Sequence, residues 1–158
     1  MKSCVIYGSR YGNTEKIARS LGAGLAAAGI ETTCVNQTDA RMEELTQYDL
    51  ICFGTPTEMF SAYKPTKELL DRWSGDLPGK FGFAFDTKVD SRFSGSAAKL
   101  IEKELAKHGL KIIAPRESAI VLTEKGINGA HLKEGEEARF EQIGRELGVK
   151  LTAAHSLA

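Results

Sequence analysis

The sequence has few of the features that mark secreted, membrane and nucleic-acid-binding proteins. Its three cysteines, Cys4, Cys34 and Cys52, are an odd number without a C-x-x-C spacing, which argues against a disulfide framework and a C-x-x-C metal or redox motif. It lacks a long apolar run and a signal-peptide pattern at the N-terminus. The 21 basic residues balance the 21 acidic ones, so net charge gives no attraction to nucleic acid or anionic membranes. We therefore expect a cytoplasmic protein without a nucleic-acid or membrane partner.

Residues that bind metals or act as nucleophiles are also scarce. The histidines, His108, His131 and His155, are not at a metal-ligand spacing, so we expect no metal site. No nucleophile–base pair or acid–base dyad is apparent, and the sequence therefore predicts no catalytic residue. Each cysteine lies in an apolar, strand-like run, where a free thiol is typically a buried small hydrophobe.

Apolar runs typical of strands alternate with helical patterns along the chain. Such alternation is the signature of βαβ units on a parallel sheet, and 158 residues suit one domain, here residues 1–158. The sequence therefore predicts an α/β fold, an open three-layer αβα sandwich, whose ligands bind beyond the carboxyl ends of the strands. Predicted strands cover 3–7, 31–36, 49–54, 80–86 and 111–122, the last interrupted near Pro115, and predicted helices cover 13–29, 40–46, a segment from Pro65, a segment after Ser94 and 134–154.

The turn after the first strand, YGSRYGNTEK over residues 7–16, holds more polar groups than a helix cap needs. It precedes a helix whose unpaired N–H groups and dipole favour an anion. Two glycines allow close backbone approach, while Ser9, Asn13 and Thr14 supply hydroxyl and amide donors. The spacing G-x-x-x-G-N-T is neither a nucleoside-triphosphate loop nor a dinucleotide fingerprint. It predicts a monophosphate site, with an ordinary helix-capping turn as the alternative.

The segment S-R-Y-G-N-T-E resembles the phosphate loop of flavodoxins, and later segments extend the resemblance over nearly the whole chain. GTPT looks like the first flavin loop of that superfamily, and FDTKVDSRFSGSAAKLIEKEL looks like the second. The family implies a bound FMN, one-electron transfer and a five-stranded parallel sheet of order 2-1-3-4-5. No long insertion splits the predicted fifth strand, so the chain resembles the short-chain class.

The resemblance implies cofactor-binding residues in three loops. Arg10 replaces the commoner small polar residue of the phosphate loop, and either contacts the phosphate or points to solvent. Met59 and Phe60 would cover the ring, or else cover the core or face a partner. Asp86 would accept a hydrogen bond from the pyrimidine N–H of the ring, while capping a helix is a sufficient role for Ser94. The implied residues are Ser9, Arg10, Tyr11, Gly12, Asn13 and Thr14 for the phosphate, Thr55, Pro56, Thr57, Met59 and Phe60 in the first flavin loop, and Asp86, Thr87, Lys88, Val89, Phe93 and Ser94 in the second.

The favoured function is a non-catalytic electron carrier that uses FMN to move electrons between redox partners. Partners would dock transiently at the exposed flavin rim, with Met59, Phe60 and Tyr63. The alternative is an FMN-dependent NAD(P)H or quinone oxidoreductase of the same fold, against which the short chain and the lack of an obvious nicotinamide-binding insertion argue. A third hypothesis, a non-flavin phosphate-binding or response module, leaves the two later loops unexplained.

Overall fold

Helices and strands alternate in the computed structural model, which describes residues 1–123 and 130–157. The alternation confirms the predicted α/β class. In chain order the elements are β1 (Lys2–Tyr7), α1 (Asn13–Ala27), β2 (Glu31–Asn36), a 3₁₀ helix (Met42–Gln47), β3 (Leu50–Glu58), β4 (Ser61–Ala62), α2 (Lys64–Arg72), β5 (Phe81–Val89), α3 (Ala97–Lys107), β6 (Lys111–Ile112), β7 (Glu117–Thr123), β8 (Ala130–Leu132) and α4 (Glu136–Ser156).

The central sheet has the strand order β2-β1-β3-β5-β7-β8, with every pair parallel except the last. The predicted order 2-1-3-4-5 is confirmed, because β5 and β7 are the predicted fourth and fifth strands. The predicted count of five strands omits β4, β6 and β8. These strands pair with β3, β5 and β7, respectively. These strands have two or three residues each, too few for an apolar pattern to show.

The sheet is buried on both faces, which explains the continuous apolar runs in its central strands. Successive side chains of a strand point to opposite faces. On β1, Val5 joins the core beneath α1 and α4, whereas Cys4 and Ile6 join the core beneath α2, α3 and the 3₁₀ helix. Two helical layers therefore enclose the sheet, as the predicted sandwich requires.

Strands β3 and β5 run further than the sequence predicts. Residues 55–58 and 87–89, which lie beyond the predicted strands, continue β3 and β5, and Thr55 and Pro56 pair in register with Asp86 and Thr87. Except for Val89 these positions are polar or proline, so the two segments lack the continuous apolar signal of a buried strand. The extension matters for function because it carries both segments beyond the core as paired, ordered backbone.

The cysteines are free thiols, and two of them are the buried hydrophobes that the sequence predicts. Cys4 and Cys52 are buried, while Cys34 is partly buried on the edge strand β2. Burial raises the pKa of Cys4 to about 12 and that of Cys34 to about 11. Both thiols therefore stay protonated and unreactive near neutral pH.

A polar cluster fastens β7 to the start of α4. The carboxylate of Glu136 accepts hydrogen bonds from the Ile120 N–H at 2.8 Å and from the Arg139 guanidinium at 3.0 Å. Arg139 also donates to the Ser118 carbonyl at 2.6 Å and to Glu117 at 3.0 Å. Burial pushes the pKa of Glu136 up, but the bonds from Arg139 and Ile120 outweigh it, so the pKa is lowered.

We expect Glu136→Gln to destabilise the protein by about 1–3 kcal/mol at pH 7, the range for hydrogen bonds to a charged group. A lowered pKa means that this contribution is present above the unfolded-state pKa of about 4.3 and is lost as the pH falls through the folded-state value. Urea unfolding at pH 7, 5, 4 and 3 measures the difference. Exposed Glu137 in the same helical turn is the control, and a difference that stays constant down to pH 3 would contradict the assignment.

Candidate functional site

An open cleft lies beyond the carboxyl ends of β1, β3 and β5. This position is the one predicted for the ligand of a parallel α/β sheet. The lining residues come from the β1–α1 loop, the first turn of α1, the extended ends of β3 and β5, and strands β7 and β8: Ser9, Arg10, Tyr11, Asn13, Thr14, Pro56, Thr57, Glu58, Thr87, Lys88, Val89, Val121 and Ala130.

One end of the cleft is formed by the N-terminus of α1, which has no side-chain cap. The capping position is Gly12, with a φ of 89° that favours glycine. Ser9 Oγ accepts a hydrogen bond from the Gly12 N–H at 3.1 Å and so holds the turn in shape. Because Gly12 offers no side-chain oxygen, the first turn of α1 presents its N–H groups beside the hydroxyl of Thr14. This arrangement suits an anion.

Two hydrogen bonds join the β1–α1 loop to distant parts of the chain. Thr14 Oγ1 and Thr87 Oγ1 lie 2.8 Å apart, and both residues are buried. Asn13 Nδ2 donates to the carbonyl oxygen of Ala130 at 2.6 Å. The predicted amide donor of the loop therefore also anchors β8, which brings Val121 and Ala130 into the wall of the cleft.

Arg10 contributes both to the cleft wall and to the solvent-facing surface. Its Nη1 donates to Glu58 Oε1 at 3.1 Å, and its guanidinium lies 5.3 Å from the centre of the Tyr11 ring. The Arg10 side chain is 52% exposed and that of Glu58 is 27% exposed. The Arg10 side chain therefore lines the cleft and remains half in water, and its contact with a phosphate stays a prediction.

Asp86 lies beneath the cleft and caps α3. This fully buried carboxylate accepts hydrogen bonds through Oδ2 from Thr57 Oγ1 and Ser96 Oγ at 2.9 Å and from the Ala98 N–H at 3.0 Å. Thr57 Oγ1 accepts a further bond from the Ala97 N–H at 2.9 Å. Asp86 Oδ1 is buried with no partner among the described residues. Asp86 does not line the cleft, so the structure gives it a different contact from the predicted bond to the ring.

The expected capping role of Ser94 is wrong. Helix α3 begins only at Ala97, and Ser94 Oγ donates to the Ser91 carbonyl at 2.7 Å within its own turn. Thr55 also lies away from the cleft, because it is buried and shares a 2.8 Å hydrogen bond with Thr66. Thr57 and Asp86, which precede α3 by at least ten residues, cap the helix instead. The sequence around Ser94 gives no sign of this contact.

Three predicted cofactor-binding residues stand outside the cleft and are largely exposed. Met59 is 89% exposed, and Phe60 and Phe93 are each 70% exposed. Met59 and Phe60 form the two-residue turn between β3 and β4 and have φ angles of 49° and 67°. Such turns favour Asn-Gly, since bulky residues at positive φ are strained. The turn therefore displays two large apolar side chains beside the cleft at a conformational cost.

The structure brings most of the predicted site residues together at the cleft. They are Ser9, Arg10, Tyr11, Asn13, Thr14, Pro56, Thr57, Thr87, Lys88 and Val89, and Gly12 lies within the same loop. Glu58, Val121 and Ala130 line the cleft without having been predicted to bind the cofactor. No local sequence pattern identifies these three residues, because the tertiary fold brings them to the cleft. Glu58 lies on the unexpected extension of β3, and the other two lie on the paired strands β7 and β8.

Two searches of the described residues bear on other kinds of site. Over 1–123 and 130–157, no group of three or more His, Cys, Asp or Glu side chains is placed to hold a metal ion. Within those same ranges, every helix is too short or too polar to cross a membrane.

The donor set fits a phosphorylated ligand with a less polar body. The anion-favouring end is the uncapped turn of α1 with Ser9 and Thr14, and the remainder of the cleft is lined partly by Pro56, Val89 and Val121. An FMN has these two parts, a phosphate and a flat ring system. The residues present therefore fit the cofactor that the sequence resemblance implies.

Comparison with known proteins gives matches to flavodoxins. The flavodoxin family model matches residues 5–143. A flavodoxin of Clostridium saccharobutylicum is 34% identical over 103 residues, which cover 64% of this chain and 64% of that protein. The chain thus spans slightly less than two thirds of that relative, whereas a flavodoxin of Maridesulfovibrio salexigens is 30% identical over 120 residues, 71% of this chain and 81% of that protein.

Solved structures show the same fold. Oxidised flavodoxin 1 of Bacillus cereus matches with a TM-score of 0.79 at 20% identity, covering 93% of this chain and 97% of that one. A flavodoxin from the domain Archaea matches with a TM-score of 0.74 at 21% identity, covering 96% and 99%. At such identities the structures support the fold, while the family model and the curated relatives support the family.

Proposed function

The chain belongs to the flavodoxin family, and from this membership and the shape of the cleft we propose that it carries electrons on a bound FMN between redox partner proteins. The isoalloxazine ring of FMN supplies the electron chemistry, and the protein supplies binding, orientation and electrostatics. The observation that carries the proposal is the uncapped first turn of α1, which opens into the cleft at the carboxyl ends of the strands.

The β1–α1 loop would hold the phosphate. The first N–H groups of α1 and the hydroxyls of Ser9 and Thr14 are neutral donors at the positive end of a helix dipole. Arg10 adds a cation at the cleft wall, and its guanidinium keeps donors beyond the one that binds Glu58. Binding thus combines short-range hydrogen bonds with a modest charge attraction that salt would weaken.

The extended ends of β3 and β5 would hold the ring. Residues 56–58 lie on one side of the cleft and residues 87–89 on the other. Lys88 donates through Nζ to the Gly95 carbonyl at 3.2 Å, which fixes the base of the second loop. Because both segments are paired in a sheet, the walls are ordered by backbone hydrogen bonds rather than by flexible loops.

The exposed apolar rim supports transient docking of a partner. Tyr11, Met59, Phe60 and Phe93 are each at least 60% exposed around one end of the sheet. Exposed apolar patches of this kind mark interaction sites, and small interfaces suit short-lived redox encounters. The free thiols of the three cysteines support the reducing, cytoplasmic compartment expected from the sequence.

Binding and redox measurements test the function. We expect the purified chain to bind one FMN, with flavin absorbance that bleaches on reduction and returns on oxidation. A protein whose spectrum does not change when FMN is added would contradict the proposal. Steady NAD(P)H oxidation by the FMN-loaded protein alone would instead favour the reductase.

We expect Thr14→Ala to weaken FMN binding by about 1–3 kcal/mol, because a buried hydroxyl that donates to the phosphate is lost. Quenching of flavin fluorescence measures the dissociation constant. Thr152→Ala is the control, since that hydroxyl donates to the Gly148 carbonyl within α4, and Thr152 is not among the residues that line the cleft. An unchanged FMN affinity in a folded Thr14→Ala variant would count against the phosphate site.

A further inference from the structure

We propose that Thr87 is a positioning residue for the cofactor phosphate and acts through the hydroxyl of Thr14. The two Oγ1 atoms lie 2.8 Å apart, and the residues are 1% (Thr14) and 4% (Thr87) exposed. Both residues line the cleft. The inference rests on the proposed function, because it concerns the phosphate of the same FMN.

The direction of the hydrogen bond follows from the number of hydrogens available. A threonine hydroxyl donates one hydrogen, and an anion only accepts. When Thr14 donates to a phosphate, its oxygen is free to accept, so Thr87 must donate to Thr14. Within 1–123 and 130–157, the hydroxyl of Thr87 has Thr14 as its hydrogen-bond partner and no other side chain or backbone group. Thr87 thus sets the orientation in which Thr14 presents its hydrogen to the anion.

The position of Thr87 makes it a firm support. It lies on β5, where the backbone pairs with Pro56 of β3 on one side and Ala119 of β7 on the other. A side chain held on a central strand moves less than one in a loop, and a buried hydroxyl pair has little water to replace its bond. The orientation of Thr14 is therefore preset before the ligand arrives, which lowers the cost of binding.

A role that operates through the phosphate is selective between FMN and riboflavin, which carries the same ring without a phosphate. We expect Thr87→Val, close in shape but without the hydroxyl, to weaken FMN binding about tenfold and to weaken riboflavin binding by a clearly smaller factor. Thr87→Ser keeps the hydroxyl and is expected to restore FMN affinity. Fluorescence titrations of both ligands with each variant give the ratio of dissociation constants.

Double substitution tests whether Thr87 acts through Thr14. We expect Thr14→Val/Thr87→Val to bind FMN no more weakly than Thr14→Val alone, because the second hydroxyl has nothing left to orient. Should Thr87→Val fail to fold, Thr87→Cys replaces the hydroxyl by a weak donor and must lower the FMN-to-riboflavin preference relative to Thr87→Ser, which lacks the same methyl group. Additive losses in the double variant would overturn the proposal.

The wild-type titration separates the failure of this inference from that of the function. Tight binding of FMN by the wild-type chain supports the proposed function whatever Thr87 does. With that established, equal weakening of FMN and riboflavin by Thr87→Val would show a merely structural role and overturn the inference. A Thr87→Ser variant that binds FMN as poorly as Thr87→Val would overturn it as well.

Discussion

Replacing Gly144 with alanine is expected to lower the free energy of unfolding by about 3 kcal/mol, within the range for overpacking a close contact. A Cβ at Gly144 would overlap the carbonyl oxygen of Leu21 and crowd the Cα of Gly24. These are backbone atoms of α1, so no side-chain rotation relieves the contact, and α1 and α4 must move apart. That movement opens the core between the helices and the sheet, where Leu21 and Leu147 are buried.

A glycine of α1 that has room for a methyl group provides the control. A Cβ at Gly22 would lie 3.5 Å from Thr32 Cγ2, an ordinary contact. Gly22→Ala is therefore expected to be neutral or to stabilise by about 0.5–1 kcal/mol, the gain in helix propensity. Urea unfolding monitored by circular dichroism compares the two variants. Equal effects of both substitutions would mean that the two helices are not in close contact at Gly144.

The order of the elements could be predicted because it is written in local patterns. Residues of β1 and α1 show a continuous apolar run and a helical repeat, and each pattern depends only on neighbours in sequence. The carboxyl ends of β3 and β5 could not be predicted, since Thr57 and Lys88 become strand residues only by pairing with another strand. Short strands such as β8 could not be predicted for the same reason.

The candidate site divides in the same way. The turn of residues 9–14 is compact in sequence, so its glycines and hydroxyls could be recognised together. The Arg10–Glu58 ion pair joins residues 48 positions apart, and the Asn13–Ala130 bond joins residues 117 positions apart. The sequence around Arg10 or Asn13 does not identify the residue that each side chain bonds, because the packing of the strands decides which strand ends lie next to each other.

The capping of α3 shows how a local rule fails when a distant group takes the same role. A serine before a helix usually supplies the cap, which favoured Ser94. In the structure, Thr57 Oγ1 accepts a hydrogen bond from the Ala97 N–H, and Asp86 Oδ2 accepts one from the Ala98 N–H. A carboxylate on a neighbouring strand is a charged acceptor at the positive end of the helix, so it outcompetes a hydroxyl.

The same geometry gives the largest effect that we expect from a single site residue. Asp86→Ala should lower the free energy of unfolding by about 3–5 kcal/mol, because it leaves three donors without their acceptor beneath the cleft. The donors are the hydroxyls of Thr57 and Ser96 and the N–H of Ala98. Asp86→Asn keeps one acceptor oxygen, so it should lower the free energy of unfolding by less than Asp86→Ala does.

Unfolding of the FMN-free protein distinguishes this role from the ring contact predicted from the sequence. A carboxylate that caps α3 stabilises the chain whether or not FMN is bound, so Asp86→Ala should already lower the free energy of unfolding of the FMN-free form. A carboxylate that only bonded the ring would leave the FMN-free form unchanged, an outcome that would contradict the capping role. Asp90→Ala is the control, because Asp90 is an exposed carboxylate just after β5. Since Thr57 lines the cleft and donates to Asp86, the Asp86→Ala variant should also bind FMN more weakly, through displacement of the wall rather than loss of a direct contact.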